Sequence, residues 1–178
     1  LTKCLFAGHS RTCSISDCDA VLNFAAQTHV DRSIQEAGSF VLTEVLGTQT
    51  LLEAAKNANV EKFVQISTDE VYGSIDSGYF KDNDPLNPRN PYAAAKAGAD
   101  LVAKSYFVTF GTPVVITRSS NNYGPFQHPE KFIPTIITRA SQNQQIPVYG
   151  DGLNVRDWIF VLDNCKGIDF ALHKGKPG

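Results

Sequence analysis

The sequence predicts an α/β fold: a parallel, doubly wound sheet covered by helices on both faces and incomplete at both ends. Three observations carry this expectation. Short apolar runs of strand length alternate along the chain with longer segments of helical periodicity. The first clear strand, Asp19-Ala20-Val21-Leu22-Asn23-Phe24-Ala25-Ala26, is apolar enough to be buried on both faces. Polar residues able to do chemistry gather just after the strands, where α/β folds place their sites.

The elements follow in order. Leu5-Phe6-Ala7-Gly8 reads as a short strand and turn, and Gly8 stands alone, with no Gly-x-x-Gly-x-x-Gly phosphate loop around it. After the strand at 19–26, residues 27–33 read as a polar loop. A long helix is expected from about Ser39 to Asn57, with Val41, Val45, Leu52 and Ala55 facing the core. The alternating run Glu61-Lys62-Phe63-Val64-Gln65-Ile66 is a buried strand, and residues 74–90, rich in Asp, Asn, Gly and Pro, are a surface loop. Asn90-Pro91 caps and starts the next helix, and Gly111 ends it. Residues 113–118 form another buried strand, opening into a loop at 119–124. A shorter helix is expected at 132–144, short strands at 146–150 and 155–160, and a last helix over about 163–173.

Composition sets bounds. A chain of 178 residues fits one domain with a sizeable core, and 42% hydrophobic with 19% charged residues is ordinary globular composition. A net charge of −2 offers no support for nucleic-acid binding. No apolar run approaches the ~20 residues of a membrane span, and Leu1–Ser10 lacks the apolar core of a signal peptide. Cys4, Cys13, Cys18 and Cys165 form no Cys-x-x-Cys pair, which points away from zinc and toward a reduced, cytoplasmic setting. The absence of Met and the ending at Lys174–Gly178 suggest a piece of a longer chain.

The stretch Ser67-Thr68-Asp69-Glu70-Val71-Tyr72-Gly73 is the chemical centre. An adjacent Asp-Glu pair is usually a solvated loop pair. Here it follows a buried strand between hydroxyl residues and a Tyr-Gly turn. Tyr92 and Lys96, four apart, share one helix face. A lysine ammonium beside a phenol favours phenolate and so lowers its pKa from about 10, making a general base for an alcohol. By spacing alone that motif is weak; the combination is more specific.

Taken together, these residues resemble the extended short-chain dehydrogenase/reductase superfamily, whose fold is Rossmann-like. The resemblance begins at Asn23–Ser33 and continues through Ser67-Thr68, Val71-Tyr72-Gly73 and Tyr92-x-x-x-Lys96. Asp69-Glu70 narrows it to the nucleotide-sugar 4,6-dehydratases, above all those acting on dTDP-glucose. The stretches 118–125, 129–134 and 149–158 resemble the same enzymes, so the likeness covers about residues 19–178. Three departures stand out. The Gly-rich dinucleotide loop is not in the chain, the C-terminal substrate portion stops at Gly178, and Glu44 stands where the family usually has Asn. Without the loop, the segment alone is expected to bind NAD weakly or not at all.

The resemblance implies a lyase, cytoplasmic and homodimeric, that uses NAD on a nucleotide-sugar substrate. Tyr92 would take the 4-hydroxyl proton, Glu70 the C5 proton, and Asp69 would protonate the departing 6-hydroxyl. Thr68 would hold the 4-hydroxyl, and Lys96 the nicotinamide ribose. Phe24, Ala25, Ala26, Thr28, Thr43, Tyr92, Lys96 and Asn121 would line the NAD site. Asn122, Lys131, Phe132, Pro147, Val148, Tyr149 and Arg156 would hold the nucleotide, in a portion starting at about 122–160 of a partial NAD-binding domain spanning 1–178. The family's dimer contact would use Leu42, Leu46, Leu101, Val102, Tyr106 and Phe107. No metal is implied. The alternatives are a related decarboxylase or epimerase, against which Asp69 argues, and a catalytically inactive fragment.

Overall fold

The computed structural model describes residues 15, 18–148 and 150–178. The strand expected near Gly8 and the proposed base contact Tyr149 lie outside the described residues. The chain forms two compact units: one runs up to Arg118 and includes Ile168–Gly178, and the other is Ser119–Gly167.

The first unit is an α/β layer built on β1 (Ala20–Asn23), β2 (Lys62–Thr68) and β3 (Val114–Ser119), in the order β1-β2-β3. β1 and β2 are parallel, with Val21 opposite Phe63 and Asn23 opposite Gln65. β1 is shorter than expected because Asn23 ends it. Its Oδ1 accepts from the Ala25 amide at 3.2 Å, a local turn that competes with the ladder. Its Nδ2 donates to Gln65 Oε1 at 2.9 Å and to Thr48 Oγ1 at 3.2 Å. β1 has a strand partner on one side only among the described residues, and Leu22, expected to be buried, is 36% exposed.

The polar loop expected at 27–33 contains a helix, α1 (Val30–Gln35). The long helix expected from Ser39 is instead α2 (Ala37–Val41), a π-helical turn (Leu42–Leu46) and α3 (Gly47–Asn57). A wider turn breaks the 3.6-residue stripe that the periodicity assumed. Val41, expected in the core, is accordingly 50% exposed, whereas Leu52 and Ala55 are fully buried as expected.

α4 (Pro91–Phe110) matches its sequence signals. Asn90 Oδ1 accepts from the Ala93 amide at 2.8 Å, Pro91 occupies the first turn, and Gly111 closes the helix at φ 71°. Its Ala-rich face lets it approach the sheet closely. Ala103 and Tyr106 join Leu52, Ala55, Val60, Phe63 and Val114 in the main core. Fully burying Phe63 or Leu52 contributes about 1.5–3 kcal/mol each. Tyr106 is therefore a core residue, and Val102 and Phe107, partly buried, pack against the same cluster. Leu42, Leu46 and Leu101 are exposed by 61%, 53% and 58%.

Beyond β2 a 3₁₀ turn (Asp69–Tyr72) ends at Gly73, whose φ of 91° and close approach to the Asn87 carbonyl leave no room for a Cβ. The following loop packs back through Tyr72 stacked on Phe80, 5.3 Å between centroids, and an Asn87 amide bond to Val71 O at 2.9 Å. The C-terminal residues tie to the sheet: Lys62 Nζ donates to Gly175 O, and the Gly178 amide to Val114 O.

In the second unit, β4 (Asn121–Tyr123), read from the sequence as loop, pairs in parallel with β5 (Trp158–Phe160). Residues 146–148 and 155–157, expected in strands, carry none. α5 (Phe132–Ser141) has no buried residue, and α6 (Val161–Lys174) starts directly after β5. Among the described residues no helix is long and apolar enough to cross a membrane.

Candidate active site

The site lies where β2 ends. Thr68 is extended and caps the 3₁₀ turn: its Oγ1 accepts from the Glu70 amide at 3.3 Å and donates to Asp69 Oδ1 at 3.2 Å. One hydroxyl thus fixes both carboxylate-bearing residues on one tight turn. Burial pushes the Asp69 carboxyl above its ordinary range; the Thr68 bond opposes this and the charge of Glu70 adds to it. Glu70 Oε2 accepts from Asn90 Nδ2 at 3.1 Å, so the residue that caps α4 also holds this carboxylate.

The cap places Tyr92 on the first turn of α4. Its amide donates to Ser33 Oγ at 3.1 Å, and its ring meets Phe40 edge-on, with centroids 6.4 Å apart. One turn later, Lys96 is buried and donates from Nζ to Ile66 O at 2.6 Å. It also pairs with Glu44 Oε2 at 3.3 Å, while the Gln27 amide donates to Glu44 Oε1 at 2.8 Å. The expectation that Lys96 pulls the Tyr92 phenol down is corrected here. Burial first, then the charges of Glu70 and Glu44, push it well above the ordinary tyrosine range; Thr68 opposes them and Asp69 adds slightly. Lys96 directs its ammonium at Glu44 and a backbone carbonyl instead.

Phe24, Ala25, Ala26 and Thr28 sit on the loop after β1, with Phe24 and Ala25 exposed. Thr43 Oγ1 accepts from Gln27 Nε2 at 3.2 Å. Gln27, whose amide reaches Glu44, therefore links this loop to the π-helical turn and through it to Lys96. The first unit thus brings together Thr68, Asp69, Glu70, Tyr92, Lys96 and the β1 loop.

The other expected residues belong to the second unit. Asn121 Nδ2 donates to Asp157 O at 3.3 Å. Asn122 is held at both ends, its Nδ2 donating to Ser119 Oγ and its Oδ1 accepting from Asn164 Nδ2 at 2.9 Å. Lys131 caps α5, and Phe132 stacks on Trp158 with centroids 6.0 Å apart. Pro147, Val148 and Arg156 are exposed, and Arg156 Nη1 donates to Val155 O.

The sequence reading missed three supports. Ser33 was read as loop, and the second bond of Asn90 was invisible behind its cap signal. Arg118 was read only as a strand end, yet its Nε donates to buried Asp100 at 2.8 Å and its Nη1 to Tyr72 OH at 2.7 Å. That bracket ties β3 and α4 to the turn carrying Asp69 and Glu70. An Arg ending an apolar strand and an Asp on an Ala-rich helix face were the available signals.

Known proteins resemble this chain in sequence and in fold. The chain is 57% identical over 164 residues to the low-salt glycan biosynthesis protein Agl12 of Haloferax volcanii, covering 92% of this chain and 53% of that protein. It is 52% identical to a dTDP-glucose 4,6-dehydratase of Streptomyces antibioticus, covering 92% and 49%. Among solved structures, the dTDP-glucose 4,6-dehydratase DesIV of Streptomyces venezuelae, with NAD bound, superposes with a TM-score of 0.89 at 52% identity, covering 92% and 52%. A UDP-glucuronic acid 4-epimerase of Bacillus cereus reaches 0.87 at 30% identity, covering 93% and 54%. The chain spans about half the length of these relatives. The family described as GDP-mannose 4,6 dehydratase matches residues 9–178, and the chain belongs to that family.

Proposed function

We propose that the full-length protein is an NAD-dependent lyase that converts dTDP-glucose to its 4-keto-6-deoxy sugar. One observation carries this reading: Asp69 and Glu70 share a single capped turn beside Tyr92, with burial pushing the Asp69 carboxyl up. Elimination needs an acid and a base at neighbouring atoms, and adjacent carboxyls in unlike environments can divide those roles. Glu70, held by Asn90, takes the C5 proton. Asp69 keeps a proton to higher pH and delivers it to the departing 6-hydroxyl, so water leaves. Tyr92 takes the 4-hydroxyl proton, with Thr68 orienting that hydroxyl.

The donor set fits NAD. An ammonium has three protons, and the geometry commits one of those on Lys96, to Ile66 O, so the ammonium keeps donor capacity for a ribose hydroxyl beside its ion pair with Glu44. Phe24, Ala25, Ala26, Thr28 and Thr43, all in the first unit, would line the remainder. NAD, when bound, supplies a reversible hydride acceptor with a positively charged ring, opposite in sign to the carboxylates around Tyr92. Asn122, Lys131, Phe132, Pro147, Val148, Tyr149 and Arg156 would hold the nucleotide, Arg156 as a phosphate partner. The dehydratase DesIV and the other dTDP-glucose enzymes at about half identity support this substrate.

The epimerase likeness favours a second reading, in which only the C4 step occurs. Glu70→Gln in the full-length protein decides between them. Given dTDP-glucose, the variant should accumulate NADH absorbance with little 6-deoxy product, and Asp69→Asn should behave similarly. Tyr92→Phe should slow NADH formation itself by ~10²-fold or more. Product formed by Glu70→Gln at the parent rate would remove the dehydratase reading's main support.

We also propose that two copies associate through the exposed faces around Leu42, Leu46 and Leu101. A second copy is the occupant because a two-fold contact covers the same apolar patch on both partners at once.

A further inference from the structure

We infer that Glu44 is a positioning residue that sets the pH at which Tyr92 becomes a base, through the charge it buries in an ion pair with Lys96 at the π-helical turn. The inference rests on the reading of Tyr92 as the proton acceptor, and concerns what tunes it.

The geometry is specific. Glu44 is fully buried: Oε1 accepts from the Gln27 amide at 2.8 Å, while Oε2, with no hydrogen bond among the described residues, lies 3.3 Å from the Lys96 ammonium as an ion pair. Burying a carboxylate costs several kcal/mol unless a cation and hydrogen bonds answer it, so the residue is not casual core filling. The turn that carries it is a π-helix, a local irregularity found mostly at functional sites. Both Gln27 and Thr43, which flank the pair, lie on the segments proposed to line the cofactor.

The charges facing this group come from every packed element. The 3₁₀ turn presents Asp69 and Glu70 to Tyr92. Within α4, Asp100 also feels Lys96, and β3 answers Asp100 with Arg118. α1 carries Asp31 and Arg32 beside Ser33, and α3 brings Glu53 and Lys56 to the far end of α4, at Tyr106 and Phe110. α2 carries no charged side chain. Lys96 is thus the cation facing Glu44, and Tyr92 is faced by three carboxylates with no resolved help from Lys96.

Removing the Glu44 charge takes away one of the three carboxylate charges that hold the Tyr92 phenol up. With less negative charge facing it the phenolate is less disfavoured, and Tyr92 should ionise at lower pH, by about one unit. The test uses the full-length protein and two readouts. The first is ultraviolet phenolate titration of Tyr92, isolated by subtracting Tyr92→Phe, and needs no substrate. The second is the pH profile of NADH formation with dTDP-glucose. Glu44→Gln and Glu44→Asn should both move the Tyr92 titration and the rising limb downward, tenfold or more in rate at a fixed pH on that limb, while Glu44→Asp returns both toward the parent. A folded uncharged variant with an unmoved Tyr92 titration overturns the inference. So does failure of both uncharged variants to fold, which would make Glu44 structural. If the parent forms no NADH, the proposed function fails, and the phenolate titration still judges Glu44.

Discussion

Asn90 does two jobs with one amide. Its Oδ1 caps α4 and its Nδ2 holds Glu70, so two substitutions separate them. Asn90→Ala should cost about 1 kcal/mol of stability, the usual loss for a helix cap, and also release Glu70. Asn90→Asp keeps the cap but places a second carboxylate beside Glu70. Urea unfolding should find the Asp variant close to the parent and the Ala variant weaker. Both should show slow decay of NADH in turnover, because Glu70 is misplaced in one and repelled in the other. Equal decay rates in parent and variants would remove Asn90 from the site.

At the scale of elements, the helix running from Ala37 to Asn57 is one segment with a π-helical turn set into it. Gly47 opens the α3 part with helical dihedrals, and a Cβ there would meet only the Leu42 carbonyl at 3.7 Å, an ordinary contact. Gly47→Ala should therefore stabilise by about 0.5–1 kcal/mol through lower backbone entropy in the unfolded chain. Gly73 is the opposite case: its Cβ would strike the Asn87 carbonyl in a left-handed conformation. Gly73→Ala should cost at least ~1–3 kcal/mol and loosen the turn bearing Asp69 and Glu70. Thermal melts of the two variants should move in opposite directions; a melting temperature that rises for both would refute this account of the turn.

For the whole molecule, the testable question is association. Leu46 on the π-helical turn and Leu101 on α4 lie exposed, while Tyr106, Val102 and Phe107 pack in or against the core. Leu101→Arg or Leu46→Arg should thus split a dimer without unfolding the chain, whereas Tyr106→Arg should unfold it. Light scattering of the full-length protein at micromolar concentration is expected to give a dimer mass for the parent and a monomer mass for the two leucine variants. A monomeric parent would end the two-fold proposal.

The sequence by itself determined the α/β alternation, the capped ends of α4, and the placing of Thr68, Asp69 and Glu70 at the end of a buried strand. These follow from local chemistry: apolar period, Asn-Pro and Gly signals, and turn residues that act within a few positions. Only the tertiary structure decided the π-helical turn, the shortness of β1 and the partner of Lys96. A one-turn irregularity leaves the composition unchanged while it rotates the helix stripe, so Val41 read as core and faces out. Lys96 is four residues from Tyr92 in the chain, which suggested that the two act together. Its charge is instead taken by Glu44, fifty-two positions away, because burial makes an ammonium seek the nearest carboxylate in space.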